Sequence, residues 1–218
     1  MSRITDAEGR VVVDNIDYNT LGQVESTWSL DSGTTKFTYD DNGNVLTVTD
    51  SNGVVLTKVY DDLDRVIELQ YSCSEDGGYD QVYCNSLVDN TEPLFYTYDS
   101  TCVDGGLSGI GHLCKVELGY NGPSVSYTYD IRGNVLRTKE VIAGKQYLTN
   151  YDYDDAGNVK SVKTLTDGVE TSYSYDSLNR LKDVSIDGEI IDYNYGSSNT
   201  GGDTVGMVKQ IDFPSGSG

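Results

Sequence analysis

Histidine is almost missing from this chain, and its scarcity bears directly on catalysis. His112 is the one histidine among 218 residues, so only His112 could serve a Ser-His-Asp or Cys-His arrangement. The P-loop, Gly-x-Gly-x-x-Gly, Gly-x-Ser-x-Gly and His-Glu-x-x-His motifs are also missing. Carboxylates are plentiful enough to supply a pair for glycoside hydrolysis, but no pair is singled out. We therefore expect a protein that is not an enzyme.

Basic residues and long apolar runs are scarce as well. Fifteen Lys and Arg stand against 35 Asp and Glu, for a net charge of −20. Nucleic acids and anionic lipids are bound mainly through basic side chains, so we expect neither as a partner. No run of 18 apolar residues is present, which excludes a membrane-spanning helix, and the amino terminus lacks the apolar segment of a signal peptide. A solvated acidic exterior is typical of secreted or cell-surface proteins, and cation capture is the alternative.

The four cysteines lie within one short window of the sequence, and no Cys-x-x-Cys motif occurs among them. An even, clustered number of cysteines indicates two disulfides and an oxidising compartment. Three pairings are open, and we favour the two that close local loops, Cys73 with Cys84 and Cys102 with Cys114. Zinc is the rival interpretation, with carboxylates completing the ligand set.

A short phrase, Tyr-Asp-x-x-Gly-Asn-Val, is what the chain has in abundance, and such a repeat governs the fold. It occurs from Tyr39 to Val45 and from Tyr153 to Val159. Degenerate copies centre on Asn19 and Gly196. Steps of 20–24 residues separate the copies, except at two longer insertions. The aspartates of the copies are Asp40, Asp61, Asp99, Asp130, Asp154 and Asp176.

Each repeat reads as two strands and two turns. Aromatic residues two apart, such as Phe37 and Tyr39, lie on one face of a strand. The aspartate can accept backbone N–H bonds and so opens a turn, and the glycine supplies the positive φ that the turn requires. A second turn signal, such as Asn52-Gly53, joins the two strands. No window shows convincing helical periodicity, so we predict an all-β meander of about eight two-stranded units.

This meander is expected to be a single array over residues 1–213. Insertions interrupt it at 70–93, 100–110 and 196–205, and residues 214–218 resemble a linker or an appended tail. Because the chain starts within the repeat pattern, we expect it to be a piece of a longer protein.

The repeated tyrosines and aspartates are the candidate site residues. The equivalent tyrosines should stack between neighbouring units as cross-strand pairs, and a sugar-stacking surface is the alternative. The aspartates are interpreted as turn residues; calcium is the alternative, with Asp40-Asp41 and Asp154-Asp155 as the densest places. His112 falls at the Asn/Arg position of its repeat, where we expect a turn residue. The predicted tyrosine ladder consists of Tyr39, Tyr60, Tyr98, Tyr129, Tyr153 and Tyr175.

From about Thr5 to Ile211, the unit Tyr-x-Tyr-Asp-x-x-Gly-Asn/Arg-Val/Leu resembles the YD repeat of the RHS (rearrangement hotspot) family. That family includes bacterial RHS toxins, the B and C components of Tc toxins, wall-associated proteins and teneurins. The resemblance implies a β-sheet ribbon that spirals into a hollow shell, with tyrosine ladders between units. Eight units are too few to close a large shell, so we expect a YD-repeat ribbon or solenoid forming a partial, curved, shell-like sheet.

The resulting prediction is a non-enzymatic extracellular scaffold, part of a shell or surface protein, without a cofactor. Its partners are expected to be the rest of a longer RHS chain or other copies of itself. One alternative is a filament subunit that pairs through sheet edges near Val11–Val13 and Met207–Ile211. Another is an adhesion module that binds glycans.

Overall fold

The computed structural model describes residues 4–9, 11–13, 15–76, 78–99, 109–196 and 206–214. The described chain is nearly all β-structure, with a single short helix, and the all-β prediction is confirmed. The described residues contain no helix that is long and apolar enough to cross a membrane.

Eighteen strands and one helix make up the described chain. The first nine strands are β1 Ile4–Thr5, β2 Val11–Val13, β3 Asn15–Tyr18, β4 Val24–Ser29, β5 Gly33–Tyr39, β6 Val45–Thr49, β7 Val54–Tyr60, β8 Val66–Cys73 and, after the helix α1 Gln81–Val88, β9 Leu94–Tyr98. The remaining strands are β10 Leu113–Leu118, β11 Ser124–Tyr129, β12 Val135–Ile142, β13 Lys145–Tyr153, β14 Val159–Thr164, β15 Glu170–Tyr175, β16 Leu181–Ile186, β17 Glu189–Tyr195 and β18 Val208–Asp212.

The strands are ordered in the sheet as they are in the chain. Strands β3 to β18 form one open antiparallel sheet of 16 strands in sequence order, which is the predicted meander, while β1 and β2 form a separate two-stranded sheet. By packing, the chain divides into two compact units. One comprises Met1–Thr97 with Val116–Gly122, and the other comprises Tyr98–Lys115 with Pro123–Gly218.

A β-bulge accompanies the tyrosine that ends a strand. Tyr39 pairs with Val45 while Thr38 pairs with Thr47, so Leu46 is the extra residue. Bulges increase the local twist and redirect the strand at a defined point. The same shift occurs at strand-ending tyrosines in both units, at Tyr18, Tyr60, Tyr129, Tyr153, Tyr175 and Tyr195.

Side chains alternate between an aromatic face and a polar face, as the period of a strand requires. In the first compact unit Phe37 lies opposite Val48 on one face, and Lys36 lies opposite Thr49 on the other. In the second unit Tyr173 pairs with Val184 in the same manner. Among the described residues, the only fully buried hydrophobic side chains are Cys84 and Cys114. Stability therefore comes from contacts between successive strands, as in other repeat proteins.

The helix α1 lies inside the insertion predicted at 70–93 and was missed by the periodicity argument. Asp80 caps it, because its Oδ1 accepts hydrogen bonds from the backbone N–H groups of Val82 at 3.0 Å and Tyr83 at 3.1 Å. A disulfide joins Cys84 of the helix to Cys73 at the end of β8, the first of the two local pairings favoured from the sequence. An eight-residue helix is marginal alone, so this covalent link supports it.

The sheet edge near the amino terminus differs from the prediction. Val11–Val13 pairs with Ile4–Thr5 in the small sheet, and β3 is the terminal strand of the large sheet. The prediction was wrong here because a turn at Asp6–Gly9 closes an additional short hairpin. At the other end of the order, β18 overlaps the predicted Met207–Ile211 edge.

Candidate functional site: aspartate turns and tyrosine contacts

Each aspartate turn is a closed set of hydrogen bonds, illustrated by Asp154. Its carboxylate Oδ1 accepts the backbone N–H groups of Ala156 at 2.9 Å and Asn158 at 2.8 Å. Its own N–H donates to the Asn158 carbonyl at 2.9 Å, and the Gly157 N–H donates to the Asp154 carbonyl at 3.0 Å. Gly157 has φ +88°, a conformation that glycine adopts without steric cost. The sequence Asp-x-x-Gly-Asn therefore encodes this turn directly.

The fifth residue of the turn binds the second carboxylate oxygen. Asn158 Nδ2 donates to Asp154 Oδ2 at 3.0 Å, and Arg65 and Arg180 form ion pairs of 2.6 Å with the aspartates of their own turns. Asn19 replaces the aspartate in one turn of this type and still accepts two backbone N–H groups through Oδ1. The full arrangement recurs at Asp40, Asp61, Asp130 and Asp176.

These hydrogen bonds lower the pKa values of the turn aspartates. The Arg65 side chain is the main cause at Asp61, and the fifth-position side chain is likewise the main cause at Asp130, Asp154 and Asp176. At Asp40 burial raises the pKa, but hydrogen bonds from the Asn44 side chain and the turn backbone outweigh it. The carboxylates therefore remain charged acceptors within the turns.

Tyrosine hydroxyl groups connect each repeat unit to the repeat unit before it in the chain. Tyr153 Oη donates a hydrogen bond of 2.9 Å to the backbone carbonyl of Val135, the first residue after the preceding aspartate turn. We call this contact a tyrosine lock. Equivalent locks join Tyr39 to Val24, Tyr60 to Val45, Tyr129 to Leu113, Tyr175 to Val159 and Tyr195 to Leu181, with distances of 2.7–2.9 Å.

Burial raises the pKa values of four locking tyrosines, with nearby negative charge or a neighbouring tyrosine adding to the effect. A raised pKa keeps the hydroxyl protonated, and only the protonated hydroxyl can donate to a carbonyl. Tyr195 belongs to this set although it was not in the predicted ladder, because its repeat has Gly196 in place of the aspartate. Tyr98 ends β9 at the corresponding place in the sequence.

Links between successive turns were missed from the sequence. Asp64 and Asn179 replace the turn glycine in their repeats and have φ values of +59° and +62°. Asp64 Oδ1 accepts hydrogen bonds from Asn42 at 3.0 Å and Asn44 at 2.7 Å in the preceding turn, and Asn158 Nδ2 donates to Asn179 Oδ1 at 2.5 Å. The departure from glycine was a visible signal, since a strained position occupied by a polar residue indicates a compensating contact.

The fifth residue can also cover the next tyrosine ring. His112 stacks on Tyr129 with ring centres 4.5 Å apart, and the Arg180 guanidinium lies 4.1 Å from the centre of the Tyr195 ring. The contact of Arg180 is a cation–π interaction, which adds to the packing of the ring. His112 therefore occupies the predicted Asn/Arg position and contributes to packing between units.

Calcium and zinc gain no geometric support from the described residues, in which no group of three or more His, Cys, Asp or Glu side chains is placed to hold a metal. The Asp40 and Asp154 carboxylates are engaged in their turns. Cys114 is disulfide-bonded. Its predicted partner Cys102 lies outside the described residues, so that pairing stays a prediction.

Comparison with known proteins identifies one family. The model of the RHS repeat family matches residues 2–55, 39–72 and 153–190, together half of the chain. No curated protein sequence matches.

Several solved structures resemble the fold at low sequence identity. Two crystal structures, of TcdB2-TccC3-Cdc42 and of TcdB2-TccC3 without its hypervariable C-terminal region, align over 89% of this chain at 15% identity and a TM-score of 0.40. A Tc holotoxin pore from Photorhabdus luminescens aligns over 88% at 13% identity and a TM-score of 0.29. This chain spans 13–14% of the length of those chains.

Proposed function

This chain belongs to the RHS repeat family, and on that premise we propose that it is a non-enzymatic, extracellular segment of the wall of a larger shell or surface protein. Its physical role is mechanical. The strand meander, which is exposed on both faces, presents or shields other parts of the larger protein. Contacts between successive repeat units keep the meander together.

The observation that carries this proposal is that the repeated carboxylates and tyrosine hydroxyls form hydrogen bonds within the fold itself. The motif carboxylates are engaged by turn backbone and by the fifth residue, as at Asp154. Six tyrosine hydroxyls are engaged by carbonyls of the preceding units, as at Tyr153. A catalytic acid or nucleophile must be able to exchange its proton with a substrate. Groups committed to the fold are poorly suited to that role, and they serve instead as connections along the array.

Extracellular placement is supported by the disulfide between Cys73 and Cys84. Structural disulfides persist in oxidising compartments and are rare in reducing ones. The net charge of −20 favours solubility and opposes unspecific association. The further partners of the segment are proposed to be the remaining repeats of a longer RHS chain.

Thiol trapping in the source cells tests the extracellular part of this proposal. Cells and culture medium are treated with a membrane-permeable alkylating reagent before lysis, and Cys73 and Cys84 are followed by mass spectrometry. We expect both residues to be unmodified in the mature protein. Quantitative alkylation of both residues would place the protein in a reducing compartment and contradict the proposal.

Stepwise truncation tests the wall-segment role. Deletion from the carboxyl end after Ile186 removes β17 and β18 at a turn. Because units contact mainly their neighbours, we expect hydrogen-exchange protection in β4–β7 to be unchanged. Loss of protection throughout the chain would show a single cooperative core and contradict a modular wall.

Edge-to-edge assembly is a second candidate, favoured by strand β18. It is last in the sheet order, and all five of its residues are exposed. Unprotected edge strands pair readily with other chains. If copies assemble here, sedimentation should show a mass that rises with concentration, and Ile211→Lys should reduce it while Val82→Lys, on exposed α1, should not. A constant monomer mass would exclude this candidate.

A further inference from the structure

The helix α1 exposes an apolar surface to solvent. Val82, Tyr83 and Leu87 are 81%, 51% and 45% exposed. Tyr83 and Leu87 are four residues apart, so they lie one above the other along the helix. Val82 lies across the helix from Cys84, the residue that is buried against the sheet. A helix whose outer side meets only water has polar or charged residues there, so contact with the sheet does not explain these three apolar side chains.

This surface is uncharged and is held in a fixed position. No residue of the helix, Gln81–Val88, carries a charge. The helix packs against β7 and β8, and the disulfide from Cys73 to Cys84 fastens it there. Tyr71 lies on the same face of β8 as Cys73, two residues away, and is 48% exposed. A surface that is already ordered loses little conformational freedom when a partner binds.

Acidic residues lie on both sides of the helix in the sequence. Exposed carboxylates precede and follow α1, at Glu75, Asp76, Asp80 and Asp89. The chain has no Lys or Arg between Arg65 and Lys115, so no basic side chain of this segment offsets them. An apolar centre with an acidic rim is complementary to a segment that has one apolar side and is flanked by Lys and Arg.

The charge of the chain disfavours the other occupants of this surface. Two copies that met through α1 would bring the same acidic rim together twice, because a two-fold contact uses one patch on both chains. Each copy has a net charge of −20, which adds to the repulsion. Anionic lipids and nucleic acids are repelled for the same reason.

We propose that the outer surface of α1, formed by Val82, Tyr83 and Leu87, is a docking site for a cationic amphipathic segment of another protein. The apolar side of that segment covers the three side chains, and its basic residues approach the acidic rim. The insertion between β8 and β9 thus supplies a specific contact in addition to the mechanical role of the repeats. Because the surface is small, we expect affinity in the micromolar range.

Calorimetric titration of the intact chain with a designed peptide tests this proposal. The probe is a peptide of about 18 Leu and Lys residues, which is about five helical turns, in an amphipathic order, and its control has the same composition in scrambled order. We expect saturable binding of the amphipathic peptide and binding of the scrambled peptide that is at least about tenfold weaker. Equal binding of the two peptides would show attraction by net charge alone. That result, or no binding at about 1 mM peptide, would overturn the proposal.

A double variant tests the apolar centre of the site. Tyr83→Ser combined with Leu87→Ser leaves the Asp80 cap and the disulfide in place, so we expect an unchanged circular dichroism spectrum and a loss of affinity of about tenfold or more. Leu178→Ser removes an apolar side chain that is 69% exposed in a turn elsewhere and should bind the peptide as the parent chain does. Unchanged affinity of the folded double variant would refute the assignment.

The acidic rim and the second copy are tested separately. Glu75→Gln combined with Asp89→Asn should weaken binding of the amphipathic peptide about threefold at low salt and less at about 0.5 M salt, where exposed charges are screened. An equal loss at both salt concentrations would contradict the role of the rim. Sedimentation of the chain without peptide should show no association through α1. A mass that rises with concentration, and no longer rises in the double variant, would assign the surface to a second copy and overturn the proposal.

Discussion

Removal of one tyrosine lock should weaken one junction in the array. Tyr153→Phe deletes the hydroxyl that donates to the Val135 carbonyl at 2.9 Å and leaves the ring in place. A typical intramolecular hydrogen bond contributes about 0.5–1.5 kcal/mol. The Val135 carbonyl loses a partner in a half-buried place, so we expect a loss of about 1 kcal/mol for this variant.

Strand β13 contains its own matched control. Tyr151 lies on the same face, two residues before Tyr153, and is also half-buried. Its hydroxyl makes no hydrogen bond with the described residues, so Tyr151→Phe removes the same atom without removing a lock. We expect Tyr151→Phe to change stability by less than about 0.5 kcal/mol.

Native-state hydrogen exchange is the appropriate assay, because arrays of repeats depart from two-state unfolding. In Tyr153→Phe the amides of the turn from Asp130 to Asn134 and of the first part of β12 should exchange about fivefold faster, the equivalent of about 1 kcal/mol. Protection in β4–β7 should be unchanged. Equal effects of Tyr151→Phe and Tyr153→Phe, or faster exchange along the whole chain, would refute the lock as a local junction.

Three further predictions concern the turns and the disulfide. Gly157→Ala should cost about 1–2 kcal/mol in native-state hydrogen exchange of the turn from Asp154 to Asn158, because Gly157 has φ +88° with open space around it, so only backbone strain acts. Hydrogen bonds hold the Asp154 pKa below 3.8. The contribution of the Asp154 carboxylate to stability is therefore present above pH 3.8 and is lost as pH falls through the lowered pKa. Asp154→Asn, which imitates Asn19, should weaken this pH dependence in acid titrations followed by circular dichroism. Removal of the Cys73–Cys84 disulfide by a double Ser variant should cost about 3 kcal/mol in the chain-entropy model, and exchange in α1 should rise while β4–β6 stay protected.

The turn and strand pattern was accessible from the sequence because its causes are local. The aspartate, the glycine and the paired aromatic residues of one repeat act within about seven residues of one another, and their chemistry dictates a turn, a positive φ and a shared face. Repetition then predicted the meander, since each copy must pack against the next.

The helix and the links between turns depend on contacts that a repeat pattern does not encode. Helix α1 has little amphipathic periodicity and is supported by the Asp80 cap and by the disulfide at Cys84. Asp64 and Asn179 looked like simple losses of the turn glycine, yet each binds an asparagine of the turn before it. Such pairings join residues about 20 positions apart in the chain, and they depend on the register of the strands, which is known only from the assembled sheet.

The unit at Asp99 shows why insertions are tolerated in the turns. Asp99 donates its N–H to the His112 carbonyl at 3.3 Å, and its Oδ1 accepts the Gly111 N–H at 2.5 Å. The bond to His112 matches the bond from the Asp154 N–H to the Asn158 carbonyl, with His112 in the place of the fifth residue. Gly111 takes the place of the glycine but donates to the Asp99 carboxylate, whereas Gly157 donates to the backbone carbonyl of Asp154. Lengthening a loop adds closure entropy only slowly, so extra residues cost little provided that both ends still meet. His112 also stacks on Tyr129, which joins the following strand pair to the closed turn. The junction between repeat units therefore depends on the two ends of the turn.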